Sequence, residues 1–254
     1  MPRRLTIASR SDSTASLAER AYQLIRDQIL RGHYPLGAAL SRRRLAEEFR
    51  MSFVPISEAL QRLEMDGLVE SKPRVGTRVR IPTRDDIVER YGLREALETQ
   101  SARLFAEHAD DGSKQELLRM AEHLDQLYAS SPGADDDFLY SVHTYHMRFH
   151  LRIAEIGGNS LLRRAIEREQ VLVFNWLFDT ASRQRRMPQH FHAELAAELV
   201  GSGVEAAEEA MRAHIRYRID QVLEAMRPVE IGNGWRMPRK ADSRGATGNS
   251  RYSS

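Results

Sequence analysis

His146 and His150 stand four residues apart in the run Tyr145-His146-Met147-Arg148-Phe149-His150, and His192 and His214 follow in later segments of a 254-residue chain. On a helix this spacing puts both imidazoles of the first pair on one face, one turn apart. If the later segments are helical too, four imidazoles could converge inside a bundle. Cysteine is absent, so a metal site here must be built from His, Asp or Glu. Two chemistries use such a cluster: metal-centred sensing, and metal-dependent hydrolysis by an activated water. Hydrolysis also needs a positioned general base. Glu194 lies two residues past His192 and Glu155 five past His150, neither spacing suits that role, and no H-E-x-x-H signature occurs. Sensing is the better fit. His143, one turn before His146, is a spare ligand candidate, and His190 points elsewhere if its segment is helical.

The elements that must position these residues are helices. From Thr83 onward every periodic segment reads as helical, with about six expected: Thr83 to Ala109, Ser113 to Ser130, Ala134 to Ile156, Asn159 to Ser182, Pro188 to Val200 and Val204 to Met226. Gly112, Ser131-Pro132-Gly133, Gly157-Gly158 and Gly201-Ser202-Gly203 separate most of them, and an antiparallel all-α bundle over residues 83–228 is the natural architecture. Asn175 and Trp176 fall on its fourth helix, which would line an interior cavity; either could shape specificity there, with core packing the better reading for the tryptophan.

The N-terminal third has a different pattern. After a flexible arm (1–15), Ser16 and Glu19 form a capping-box signature ahead of the apolar face Leu17, Ala21, Leu24, Ile25 and Ile29. A short helix follows Ser41 and a third starts at Ser52, with Pro55 tolerated in its first turn. Two short helices joined by a tight turn make a helix-turn-helix. Leu68-Val69-Glu70 and Thr77 to Ile81 read as strands of a hairpin wing around Lys72-Pro73-Arg74-Val75-Gly76, which completes a DNA-binding unit over 16–82. Residues 229–254, rich in Gly, Ser and Arg, are expected to form a disordered basic tail.

Charge supports this division. Residues 1–82 hold 15 Lys+Arg and 9 Asp+Glu, residues 83–228 hold 18 and 25, and the tail 5 and 2, within a formal net charge of +2. A basic N-terminal third suits a polyanion, whereas an acidic remainder argues against nucleic acid wrapping the whole chain. Met1 to Ser13 contain no apolar signal core, and no run approaches the ~20 apolar residues that span a bilayer. A soluble cytoplasmic protein without membrane contact is expected.

Residues Gly37 to Val79, with Leu45-Ala46-Glu47-Glu48, Ser52, Pro55, Glu58-Ala59-Leu60, Arg62-Leu63-Glu64, Gly67-Leu68-Val69 and Gly76-Thr77, resemble the winged helix-turn-helix of GntR-family transcription regulators. Arg94-Glu95-Ala96-Leu97-Glu98, Phe149-His150, Gly158-Asn159-Ser160-Leu161-Leu162 and the later histidines resemble the FCD domain of that family's fatty-acid-regulator branch. About six helices matches its smaller, vanillate-regulator-like group. The resemblance implies a homodimeric regulator, commonly a repressor, that grips double-stranded operator DNA and responds to a small organic-acid effector beside a divalent metal. It implies His146, His150, His192 and His214 as ligands, of zinc first, with nickel or manganese as alternatives. Arg94 aligns with an arginine that often faces the effector; Arg94 and Asn175 are the effector-binding candidates. For DNA the candidates are Arg43, Arg44, Ser52, Phe53, Ser57, Arg62, Arg74, Gly76, Thr77 and Arg78.

Three departures from the family pattern matter. Phe53 and Ser57 stand where the family usually has arginines, which removes the usual bidentate contacts to guanine. His146 stands where Asp is usual. Four neutral imidazoles would leave a dication uncompensated, and a carboxylate effector would be favoured more strongly.

Overall fold

A computed structural model describes residues 16–131, 135–169 and 187–226 of the chain. The flexible arm, the basic tail, Asn175, Trp176 and the second half of the helix expected to end at Ser182 lie outside the described residues.

The fold is mainly helical, with a winged helix-turn-helix followed by a helical bundle. Helix α1 (Leu17–Leu30), strand β1 (Ala39–Leu40), helices α2 (Arg42–Phe49) and α3 (Phe53–Met65), and strands β2 (Val69–Lys72) and β3 (Gly76–Val79) form the first unit. Ser16 caps α1 by accepting from the Glu19 amide at 3.1 Å. The expected capping box is only half made, because the Glu19 carboxylate goes to Gln23 and Arg62 instead. Leu17, expected on the inner face, is exposed. Ser41 caps α2, and Ser52 occupies the N-cap position of α3 without a side-chain cap bond.

The sheet has three antiparallel strands in the order β1-β3-β2, with Leu40 opposite Thr77 and Val69 opposite Val79. β1 was not foreseen, since a two-residue strand is too short to display an alternating period. Gly37 turns the chain into it at φ +79°, where a Cβ would meet Ile81 at 3.0 Å. Ile25, Ile29, Ile56, Leu60, Leu63 and Leu68 fill the core of this unit.

The bundle comprises α4 (Arg84–His108), α5 (Asp111–Ala129), α6 (Asp136–Ile156), a helix over residues 160–169 (α7), α8 (Phe191–Gly201) and α9 (Val204–Met226). Thr83 and Asp86 close a complete capping box on α4. Asp110 and Asp135 cap α5 and α6, starting α5 two residues before and α6 two residues after the expected points. α8 starts three residues later than expected, after His190 at φ +63°. α9 packs along α4, and α5, α6 and α8 pack around them. Ion pairs Arg80–Asp86 and Arg31–Asp137 and a bond from Arg168 to the Met65 carbonyl at 3.3 Å tie the winged unit to the bundle.

Among the described residues no helix is long and apolar enough to cross a membrane.

Candidate metal centre

His146 and His150 lie on α6, His192 in the first turn of α8 and His214 on α9, and all four are buried. Their rings converge: centroids are 4.8 Å apart for His146–His150 and for His146–His192, 5.2 Å for His150–His214 and 5.3 Å for His192–His214. His146, His192 and His214 offer ring nitrogens that all lie within 4.8 Å of one another. His150 joins through its Nε2, 2.9 Å from Nε2 of His146.

Three of the rings are held from behind. Glu98 of α4 stands 2.6 Å from His150 Nδ1, Asp125 of α5 lies 2.7 Å from His192 Nδ1, and the Tyr128 hydroxyl lies 2.8 Å from His146 Nδ1. Such partners fix ring orientation and tautomer, and leave Nε2 for the centre. Asp125 also accepts from the His192 and Ala193 amides at 3.1 and 2.9 Å, so it caps the start of α8 from another helix.

Proton placement follows from these contacts. With Nδ1 of His150 as the nitrogen facing Glu98, a donor role there would make its Nε2 the acceptor and His146 Nε2 the donor in the contact between the two rings. Nδ1 of His146 would then accept from the Tyr128 hydroxyl. If His146 were to ligate through Nε2, its proton would move to Nδ1 and the hydroxyl would turn from donor to acceptor.

Burial keeps the rings of His146, His192 and His214 neutral, which is the ligating form. It lowers His192 to about 4 against the opposing pull of Asp125. It also pushes His146 and His214 well below the usual imidazole range, reinforced by the neighbouring rings and Arg218. Burial alone would raise the Glu98 carboxyl, but Arg94 and His150 outweigh it and bring Glu98 down to about 2.

The donor set fits a metal ion. Nε2 of His192 and both ring nitrogens of His214 are buried without a hydrogen-bond partner, and a buried unsatisfied polar atom is costly unless something fills its need. A dication at the convergence point would satisfy Nε2 of His192 and one ring nitrogen of His214, and imidazole suits zinc, nickel and related ions. The charge expectation is amended: two carboxylates stand directly behind the imidazoles, although Glu98 is already matched by Arg94 at 2.8 Å.

Glu98, Asp125 and Tyr128 were missed from sequence as parts of this site. In the sequence Glu98 stands out only as the last residue of the Arg94-to-Glu98 motif; in the structure it forms a buried ion pair with Arg94. Arg94 engages Glu98 through Nε and lies 5.2 Å from the Tyr91 ring centroid. A cavity of about 560 Å³ opens beside the cluster, its wall including Asp125, Tyr128, Gln189, His190 and Ala193. Arg94 does not line it. His143 is buried near the Tyr128 ring. Glu155 and Glu194, weighed as general bases, are exposed on the surface.

Of the DNA candidates, Arg43, Arg44, Ser52, Phe53, Arg74 and Gly76 are exposed and Ser57 is half-buried. Arg43 pairs with Glu47 at 3.0 Å and Arg78 with Glu70 at 2.5 Å. Arg62 bonds Glu19 and covers the Tyr22 ring at 4.0 Å, which turns it toward α1. Thr77 is buried with its hydroxyl 3.0 Å from Ser71, so its side chain faces inward.

Comparisons with known proteins agree with this architecture. The family described as bacterial regulatory proteins, gntR family, matches residues 17–79, and the FCD domain matches 89–217. The chain is 24% identical over 207 residues to the uncharacterised HTH-type transcriptional regulator YdhC of Bacillus subtilis, covering 81% of this chain and 90% of that one. It is 31% identical over 156 residues to a probable D-xylose utilization operon transcriptional repressor of Paenarthrobacter nicotinovorans, covering 59% and 63%. A crystal structure described as a transcriptional regulator GntR from Rhodococcus sp. RHA1 superimposes with a TM-score of 0.67 at 27% identity, covering 83% of this chain and 99% of that one.

Proposed function

The chain belongs to the GntR family of bacterial regulatory proteins and carries its FCD domain; from that premise we propose a metal-dependent, effector-controlled repressor of transcription. The family comprises DNA-binding regulators and not enzymes, which removes the hydrolase alternative. Glu155 and Glu194, the acids weighed as general bases, are also exposed.

The observation that carries the proposal is the buried convergence of His146, His150, His192 and His214, with three rings oriented from behind and nitrogens of His192 and His214 left without partners. These four residues would hold a divalent ion, zinc first by the donor set, with nickel or manganese as alternatives. Bound there, the ion would supply a Lewis-acidic position for one oxygen of an effector. A small carboxylate is the favoured class, because among the described residues Asp125 is the one acid against the rings that is not matched by a buried arginine. The cavity at Asp125 and Tyr128 gives the effector a way in, and Arg94 acts mainly by holding Glu98. Asn175 keeps its place as an effector-contact candidate.

A homodimer would set two α3 helices on a two-fold pseudo-palindromic operator. Effector binding would shift one winged unit against the other through the Arg80–Asp86, Arg31–Asp137 and Arg168–Met65 links. By linkage, operator DNA must weaken effector binding by the same factor.

The test is metal analysis of the purified chain, followed by titration of small carboxylic acids with and without chelator. Stoichiometric metal and chelator-sensitive acid binding are expected. Equal acid affinity in both states would overturn the metal's role, and operator binding that ignores ionic strength would overturn the phosphate-gripping winged unit.

A further inference from the structure

The first turn of α3 presents an apolar pair to solvent. Phe53 is 58% exposed and Val54 65%, while Pro55, Ile56, Ala59, Leu60 and Leu63 bury the other face of the helix. These two side chains add nothing to the core, and leaving large apolar groups in water is unfavourable. Their surroundings favour a negatively charged partner. Neither α2 nor α3 has an acid in its first turn, both helix N-termini carry partial positive charge, and Arg42, Arg43, Arg44, Lys72 and Arg74 are exposed in the same unit. Ser52, directly before Phe53, leaves its hydroxyl out of the helix cap. Ser57, one turn after Phe53 on the same face, is too short to extend past the ring.

A partner that meets a helix end with anions and small apolar groups together is duplex DNA entered through its major groove. Among the bases only thymine projects a methyl group there, and phosphates flank it. We propose that Phe53 and Val54 read thymine 5-methyl groups, so that these positions of each operator half-site are specified as thymine by apolar contact. The proposal rests on the operator-binding function above and names which residues discriminate and which base feature they detect.

The test has two steps. Duplexes are first selected from a random pool by the full-length chain at fixed salt, and thymine is expected at fixed half-site positions. Each such thymine is then replaced by deoxyuridine, which keeps base pairing and removes only the methyl. Binding is expected to weaken about fourfold per contacted methyl, the factor that corresponds to ~0.8 kcal/mol for one buried CH2. Phe53→Ala and Val54→Ala should lose most of that sensitivity while melting like the parent, since both positions are exposed. A selected site that binds equally well with deoxyuridine overturns the inference and leaves operator binding intact. Failure to bind any duplex above background overturns both. Insensitivity to deoxyuridine, with loss of dimer mass in Phe53→Ala, would assign the pair to a contact between copies and also overturn it.

Discussion

Asp125 allows the fold and the metal centre to be separated in one residue, because its carboxylate serves both. It accepts from the His192 and Ala193 amides, which closes the first turn of α8, and from His192 Nδ1 at 2.7 Å, which aims Nε2 at the centre. Asp125→Asn keeps an acceptor oxygen for the amides but removes the charge, whereas Asp125→Ala removes both. Loss of a cap costs ~0.5–2 kcal/mol, and for a chain of this size each kcal/mol lowers the melting temperature by about 2–4 °C. Metal-free Asp125→Ala is therefore expected to melt a few degrees lower, and Asp125→Asn close to the parent. Zinc affinity should follow the other pattern. Removing an outer carboxylate from a ligating histidine weakens metal binding about 10–100-fold, which is about 1.4–2.7 kcal/mol, and both variants should show it. Competition against a chromophoric chelator measures the affinity, and melting in excess chelator measures the fold. If Asp125→Asn held zinc as tightly as the parent, the orienting role assigned to this carboxylate would be wrong.

Three further outcomes follow from the same geometry. Glu98→Gln leaves the Arg94 guanidinium buried without its charge partner, and should cost about 3–5 kcal/mol of stability; a urea midpoint within error of the parent would refute the buried pair. Burial lowers His143 to about 4 from an unfolded value near 6.5, so the unfolded state binds the extra proton between those limits. Its contribution is complete above about pH 6.5 and is lost as pH falls toward 4, with about 2 kcal/mol gone at about pH 5; metal-free His143→Gln should lose less stability than the parent between pH 7 and 5 in parallel denaturant titrations. Gly157→Ala would place a Cβ 2.9 Å from the Leu104 Cβ, and overpacking of that kind costs about 1–3 kcal/mol, readable as a lowered midpoint with unchanged slope.

The sequence by itself determined the local elements and the half of the site that is local. The helical period, the caps at Ser16, Ser41 and Thr83, and the four-residue spacing of His146 and His150 depend on neighbours along one helix, so the pattern alone specifies them. The motifs from Gly37 to Val79 and around Arg94, Phe149 and Gly158 were equally legible. Only the tertiary structure decided the rest. His192 meets Asp125 from 67 residues away, and no local period encodes such a pairing. The i+4 spacing of Arg94 and Glu98 fits a surface pair as well as a buried one, and the packing of α9 along α4 made it buried. Arg62 and Thr77 sit in elements expected to meet DNA, and the structure adds that Arg62 bonds Glu19 over the Tyr22 ring and that the Thr77 hydroxyl lies against Ser71. Tyr128 and Asp125 were indistinguishable in sequence from any residues on an amphipathic helix, because what selects them is the position of α6 and α8 across the bundle.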